Sequence, residues 1–182
     1  MRLKKLYLLL FLLFLTPAKS ENEYSFYTGT FDTIDKEGDD KATLYGIEHN
    51  NPILFRDTFV GRFSPISGGF ITDKNSIYLY TGVQAEYELG PLNIVPSFTP
   101  GYYDEGNGKD LGMALEFKSE IKFSFDIFED SKIGYSYSHI SNNDWGDKNP
   151  GTDNEVISFS SIPPGFSTKI FEIPCFISIA EI

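Results

Sequence analysis

The chain has one cysteine and two histidines among its 182 residues, and only 15 Lys+Arg stand against 26 Asp+Glu. A lone cysteine, Cys175, excludes an internal disulfide framework and any cysteine-based zinc cluster. The shortage of basic residues leaves a formal charge of −11. With no Lys/Arg stripe to offset it, such a chain repels a phosphate backbone, which excludes nucleic acid as a partner. From Glu21 onward no window sustains a helical period, and no apolar run reaches the roughly 20 residues that a membrane-crossing helix needs. What is plentiful is aromatic: 17 Phe and 11 Tyr, beside 16 Gly and 10 Pro. A 16% aromatic share with 41% apolar residues is enough buried material for a fold rather than a disordered chain. The length suits one domain.

Residues 1–20 read as a secretory signal peptide outside that domain. Arg2, Lys4 and Lys5 precede the wholly apolar run Leu6 to Leu15, Thr16-Pro17 breaks it, and Ala18-Lys19-Ser20 offers small residues where a signal peptidase cuts. The run is about half the length of a membrane anchor. Its removal takes away four basic residues and no acid, so the exported chain, beginning at Glu21, is more acidic still.

The exported part alternates with period two, the mark of strands with one apolar face. In Leu111–Phe128 the odd positions Leu111, Met113, Leu115, Phe117, Ile121, Phe123, Phe125 and Ile127 are apolar, while Glu116, Lys118, Glu120, Lys122 and Asp126 fill the even ones. A run of that length exceeds the five or six residues usual in a soluble sandwich and suits a tilted membrane strand. Turn residues divide the sequence into eight strands, near 24–33, 41–50, 59–72, 76–89, 93–104, 111–128, 132–142 and 153–160. Eight strands can close into a barrel with no exposed edge. Alternation alone does not say whether the apolar side faces in or out. The export signal, the strand lengths and the charged alternate positions favour an all-β, eight-stranded antiparallel up-and-down transmembrane barrel over 21–160, with lipid outside and polar groups within. A secreted soluble barrel holding a ligand is the competing structure. Pro163-Pro164 cannot extend a ladder, so 161–182 is expected to form a tail outside the barrel.

Imidazole chemistry has two candidates. His49, in Glu48-His49-Asn50-Asn51-Pro52, reads as a solvated turn residue. His139 lies in Tyr135-Ser136-Tyr137-Ser138-His139-Ile140-Ser141-Asn142-Asn143 and shares a strand face with Ile133, Tyr135, Tyr137 and Ser141. Two residues apart on a strand puts His139 and Ser141 about 6.5–7 Å apart at Cα, within reach of a nucleophile–base hydrogen bond. The plain alternative is a polar strand end at the headgroup level. Beyond the turn, Asp153 and Glu155 open the next strand on a common face, and either can reach His139 from the side to hold its tautomer. Asn142 and the N–H groups after it are placed to donate to an oxyanion.

The runs His139-Ile140-Ser141-Asn142-Asn143 and Asn149-Pro150-Gly151-Thr152-Asp153 resemble the outer-membrane lipid A 3-O-deacylases of the PagL type, within the acyloxyacyl hydrolase group. The resemblance implies an eight-stranded outer-membrane barrel with a His-x-Ser-Asn motif on its penultimate strand, an active site on the lipid-facing wall, and hydrolysis without a metal or other cofactor. It implies His139 as base, Ser141 as nucleophile, Asn142 as oxyanion residue and Asn149 as a supporting turn residue. The family's acid is a Glu twelve residues beyond the serine, and that position holds the shorter Asp153, with Glu155 as the alternative acid. The implied substrate is lipid A of lipopolysaccharide, in the outer membrane of a Gram-negative bacterium; oligomeric state is left open. The runner-up function is a non-enzymatic structural or adhesion barrel. Tyr135, Tyr137 and Ile133 would line a groove for an acyl chain, and Trp145 with Tyr137 would mark the membrane interface.

Overall fold

A computed structural model describes residues 22–34, 40–59, 61–128 and 130–163. The expected signal peptide, and the expected tail from 164 onward, lie outside the described residues. The strands are β1 (Glu23–Phe31), β2 (Ala42–Asn50), β3 (Arg56–Thr58), β4 (Gly61–Thr72), β5 (Ile77–Ala85), β6 (Tyr87–Leu89), β7 (Leu92–Asp104), β8 (Leu115–Phe128), β9 (Ser131–Ser141) and β10 (Thr152–Ser161). Each long strand pairs antiparallel with its neighbours, in the order β2-β1-β10-β9-β8-β7-β5-β4, and the β2–β4 pairing closes the circle. Two short strands decorate this eight-stranded barrel. β3 makes a small hairpin with the start of β4, and β6 carries on from β5 after a break at Glu86 to pair with β7. β10 runs to Ser161, opposite Tyr24 and Ser131, one residue past the expected end.

Solvent accessibility decides which face is which. Along β9 the exposed positions are Ile133, Tyr135, Tyr137 and His139, and the buried ones Gly134, Ser136, Ser138 and Ile140. β8 exposes Leu115, Ile121, Phe123, Phe125 and Ile127, and buries Glu116, Lys118, Lys122 and Ser124. Phe26, Ile47 and Ile157 are each at least 60% exposed on other strands. A wall apolar outside and charged inside is the pattern of a barrel solvated by lipid, and it removes the soluble ligand-binding alternative. The long strands, 9 to 14 residues, meet the roughly 9–11 that a tilted membrane strand needs.

The interior is filled rather than open, as a barrel of this width requires. At the end that carries the β1–β2, β4–β5, β7–β8 and β9–β10 connections, Phe31, Leu44, Phe70, Tyr78, Tyr103, Leu111 and Ile140 form a buried apolar plug. The lumen is thus not polar throughout, as the alternation suggested. Beyond the plug lies a charged network: Lys122 Nζ contacts Glu48 Oε1 at 2.8 Å, and Tyr80 donates to Glu48 Oε2 at 2.8 Å. Lys118 Nζ sits 3.2 Å from Glu120 Oε2 and 4.0 Å above the Tyr80 ring.

Two local expectations change. β8 begins at Leu115, not Leu111; Leu111 is 1% exposed and belongs to the plug, because the Gly112 backbone at φ +98° ends the alternation. His49 is a strand residue, in β2 opposite Tyr24 and Ser67. Its ring packs on Tyr24 with centroids 5.0 Å apart.

Candidate active site

The β9–β10 hairpin assembles the site from strand register. Asp153 stands directly opposite His139, and Glu155 opposite Tyr137. Cross-strand partners lie about 4.5–5.5 Å apart at Cβ, so a short carboxylate suffices: Asp153 Oδ1 lies 3.0 Å from His139 Nδ1. The same oxygen accepts a 2.6 Å hydrogen bond from the Tyr137 hydroxyl. Two donors converge on one oxygen and fix the carboxylate against the imidazole. The group sits on the outer wall, with the His139 side chain 49% exposed and that of Asp153 22%.

Pairing at Nδ1 leaves Nε2 as the ring's second face. Gly151 keeps that side clear, since a Cβ there would come within 2.9 Å of His139 Cε1 and 3.3 Å of Nε2. Its φ of +62° also favours glycine. Ser141 ends β9 on the same face as His139, opposite Phe117 of β8. Among the described residues its hydroxyl makes no hydrogen bond to the ring, a contact that tightens in many hydrolases only when substrate binds. Phe117 packs edge-on against Trp145 at 5.3 Å and parallel to Phe98 at 6.0 Å. An aromatic wall therefore flanks the serine on the β8 side, while Asp153, opposite His139, lies on the β10 side.

The turn behind the site is held by asparagines. Asn142 is wholly buried, and its Nδ2 donates to the main-chain carbonyls of Leu111 at 2.9 Å and Lys148 at 2.8 Å. Its own N–H donates to Asn149 Oδ1 at 3.1 Å, and Asn149 Nδ2 donates to Asp144 Oδ1 at 3.0 Å. Asn143 and Asp144 take φ of 58° and 59°, and Trp145 N–H closes back on the Asn142 carbonyl at 3.2 Å. That is a tight turn with two left-handed residues, a conformation Asn and Asp tolerate best after glycine. The side-chain amide of Asn142 thus points into the barrel and not toward the outer wall.

The structure brings together His139, Ser141 and Asp153, places Glu155 one row deeper, and sets Asn142 and Asn149 in the supporting turn. Sequence reasoning did not see Tyr137 as a partner of the acid or Gly151 as the ring's clearance. The Tyr137 signal is its place two residues before His139 on the same face, diagonal to Asp153. No group of three His, Cys, Asp or Glu side chains suited to a metal occurs among the described residues.

A closed eight-stranded barrel, apolar outside and with a His–acid pair on that outer wall, defines a small outer-membrane barrel. The family model described as lipid A 3-O-deacylase (PagL) matches residues 44–161, which include the whole hairpin, and the chain belongs to that family of lipid A deacylases. Among solved structures, the crystal structure of the outer membrane enzyme PagL superposes with a TM-score of 0.61 at 16% identity, covering 78% of this chain and 99% of that one. Neisserial surface protein A gives a TM-score of 0.49 at 11% identity, over 78% of this chain and 96% of its own. A designed transmembrane β-barrel gives 0.49 at 10% identity, over 80% and 98%. No curated protein matches the sequence.

Proposed function

We propose that the chain is a serine esterase that hydrolyses an ester-linked hydroxyacyl chain of lipid A from the lipid-facing wall of an outer-membrane barrel in a Gram-negative bacterium, reached through cleavage of residues 1–20. The observation that carries this is the 3.0 Å contact of Asp153 with His139 Nδ1 on the same outward face as Ser141. Nδ1–H donates to Asp153, which leaves Nε2 to take the proton of Ser141 as its Oγ attacks the ester carbonyl. Asp153 stabilises the resulting imidazolium, and His139 returns the proton to the leaving alcohol. Water, deprotonated by the same nitrogen, then releases the acid and frees Ser141. Asp153 is the acid of this unit, and Glu155, opposite Tyr137, lies a row away.

Asn142 supports the oxyanion through the turn it fixes. Its amide is occupied by Leu111 and Lys148, so the donors in this reading are the main-chain N–H groups that follow it. The wall of Phe117, Phe98 and Trp145, with Ile133 and Tyr135 below, suits an acyl chain lying along the barrel.

The test uses chain refolded in detergent micelles with purified lipopolysaccharide, and reads lipid A by mass spectrometry. Loss of one hydroxyacyl mass with wild type and none with Ser141→Ala supports the reading. An unchanged mass with folded wild type, or equal hydrolysis by both, refutes it.

A further inference from the structure

Tyr137 and His139 meet Asp153 on the lipid side of the wall; the contacts that set its place lie on the other face of β10. Its chain neighbours Thr152 and Asn154 point into the barrel and are 1% and 2% exposed. On the β9 side the ladder runs past them, with Asn154 opposite Ser138 and Thr152 opposite Ile140. On the β1 side it does not. Regular pairing there ends at Thr30 opposite Glu155, and the chain turns away at Asp32, whose φ is +58°. The stretch of β10 that carries the acid therefore has a regular ladder along one edge only.

Two contacts take over on the open edge. The Thr33 N–H donates to the Asp153 carbonyl at 2.7 Å. The Asp32 N–H donates at 3.1 Å to Oδ1 of Asn154, a side-chain oxygen standing in for the ladder carbonyl that a buried N–H would otherwise need. The same amide reaches across to β9, where its Nδ2 donates to Ser138 Oγ at 3.4 Å, one residue before His139. The Thr152 hydroxyl lies 3.3 Å from both Asn154 Oδ1 and Asp32 Oδ1, and Lys109 Nζ donates to Asp32 Oδ2 at 2.8 Å. One buried amide thus joins β1, β9 and β10 behind the His–acid pair, and Lys109 ties that junction to the β7–β8 connection.

We propose that Asn154, anchored on Asp32, is the positioning residue that sets Asp153 against His139. Side chains alternate along a strand, so fixing the inward residues on either side of Asp153 fixes the direction in which its own side chain leaves the wall. Its carboxylate is short. It spans a cross-strand gap of about 4.5–5.5 Å at Cβ and has no further methylene with which to follow a strand that shifts. Loss of the Asn154 amide frees the β1 edge, Asp153 moves, and the imidazole loses the partner that keeps its proton on Nδ1. The aromatic wall on β8 makes none of these contacts, so the effect falls on kcat and not on KM.

The kinetic part of this proposal rests on the deacylase reading; the spectroscopic part does not. The chain has two histidines, so long-range proton–nitrogen correlation spectra of histidine-labelled, refolded full-length barrel in micelles, compared with His139→Ala, report the His139 tautomer directly. At alkaline pH, where the ring is neutral, wild type should show the Nδ1–H tautomer that donates to Asp153. Asn154→Leu, which keeps an inward side chain of similar size without its polar atoms, should shift the ring toward Nε2–H. In the lipid A assay it should lower kcat about tenfold or more with KM within about twofold, and Asn154→Ala should do the same. Ser160→Ala, which removes a buried 2.7 Å hydrogen bond to Ser25 at the far end of the same strand, should change neither readout. Heat-modifiable gel mobility confirms that each variant is folded. An Nε2–H ring in wild type, folded Asn154 variants of an active enzyme that keep either the wild-type tautomer or the wild-type kcat, or a Ser160→Ala variant as impaired as Asn154→Leu overturns the proposal. If the Nδ1–H tautomer is present in wild type and lost in Asn154→Leu but wild type releases no acyl chain, the positioning role stands and the deacylase reading fails.

Discussion

Asp153 and Glu155 share a strand face two residues apart, and register gives them different partners. Asp153 meets His139 at 3.0 Å, while Glu155 is opposite Tyr137. Asp153→Asn, which keeps the shape but not the charge, should reduce kcat about 10³- to 10⁴-fold, whereas Glu155→Gln should leave it within about threefold; steady-state release of fatty acid from micellar lipopolysaccharide distinguishes them. Tyr137→Phe removes the 2.6 Å hydrogen bond to Asp153 and leaves the aromatic body on the wall. A hydrogen bond to a charged group is worth about 1.5–3 kcal/mol, so kcat should fall about tenfold or more with KM little changed, measured in the same assay. That His139, Ser141 and one of the two acids share an outward face was legible in the sequence because strand arithmetic is rigid: a spacing of two keeps a face, and a short turn returns the partner strand. The contact of Tyr137 was not, since it is diagonal and depends on a rotamer that periodicity does not encode. The inward aim of Asn142 was hidden for a related reason. Its neighbours Asn143 and Asp144 take left-handed backbone, and alternation stops where the strand does.

At the level of elements, the β9–β10 turn decides whether the imidazole has room. Gly151 combines φ +62° with a Cβ position 2.9 Å from His139 Cε1. Gly151→Ala should therefore displace the ring and lower kcat about a hundredfold, the scale of an ångström's misplacement, while the barrel still folds; hydrolysis assays paired with heat-modifiable gel mobility check both halves. The eight long strands were readable because each alternates cleanly between turn residues. The start of β8 was not: Leu111 and Met113 continue the alternation in sequence, yet Gly112 at φ +98° bends the chain so that Leu111 drops into the plug. β3 escaped notice because Arg56–Thr58 has no alternation and is exposed at every position; only the hairpin with β4 makes it a strand.

For the whole molecule, the barrel is stabilised from inside by charges and from outside by lipid, the reverse of a water-soluble domain. Glu48 is 5% exposed and receives Lys122 and Tyr80 at 2.8 Å each. Glu48→Ala strands these partners in the lumen and should lower the unfolding free energy by about 3–5 kcal/mol, read as a shift in urea midpoint by the fluorescence of Trp145, the single tryptophan. Alternation alone could not choose between a lipid-facing and a water-facing apolar side, because it is symmetric; the export signal, the strand lengths and the charged alternate positions favoured lipid outside, and the exposure of Phe26, Ile47 and Ile157 agrees. This inversion puts Ser141, His139 and Asp153 on the membrane side of the wall, where an ester of a lipid can reach them. The most direct measurement of whether that serine is an activated nucleophile is peptide mapping after exposure of the refolded barrel to a fluorophosphonate. A single adduct on the peptide bearing Ser141, strongly reduced in His139→Ala, is the expected result. No adduct on a folded barrel, an adduct on another residue, or equal labelling of His139→Ala would contradict it.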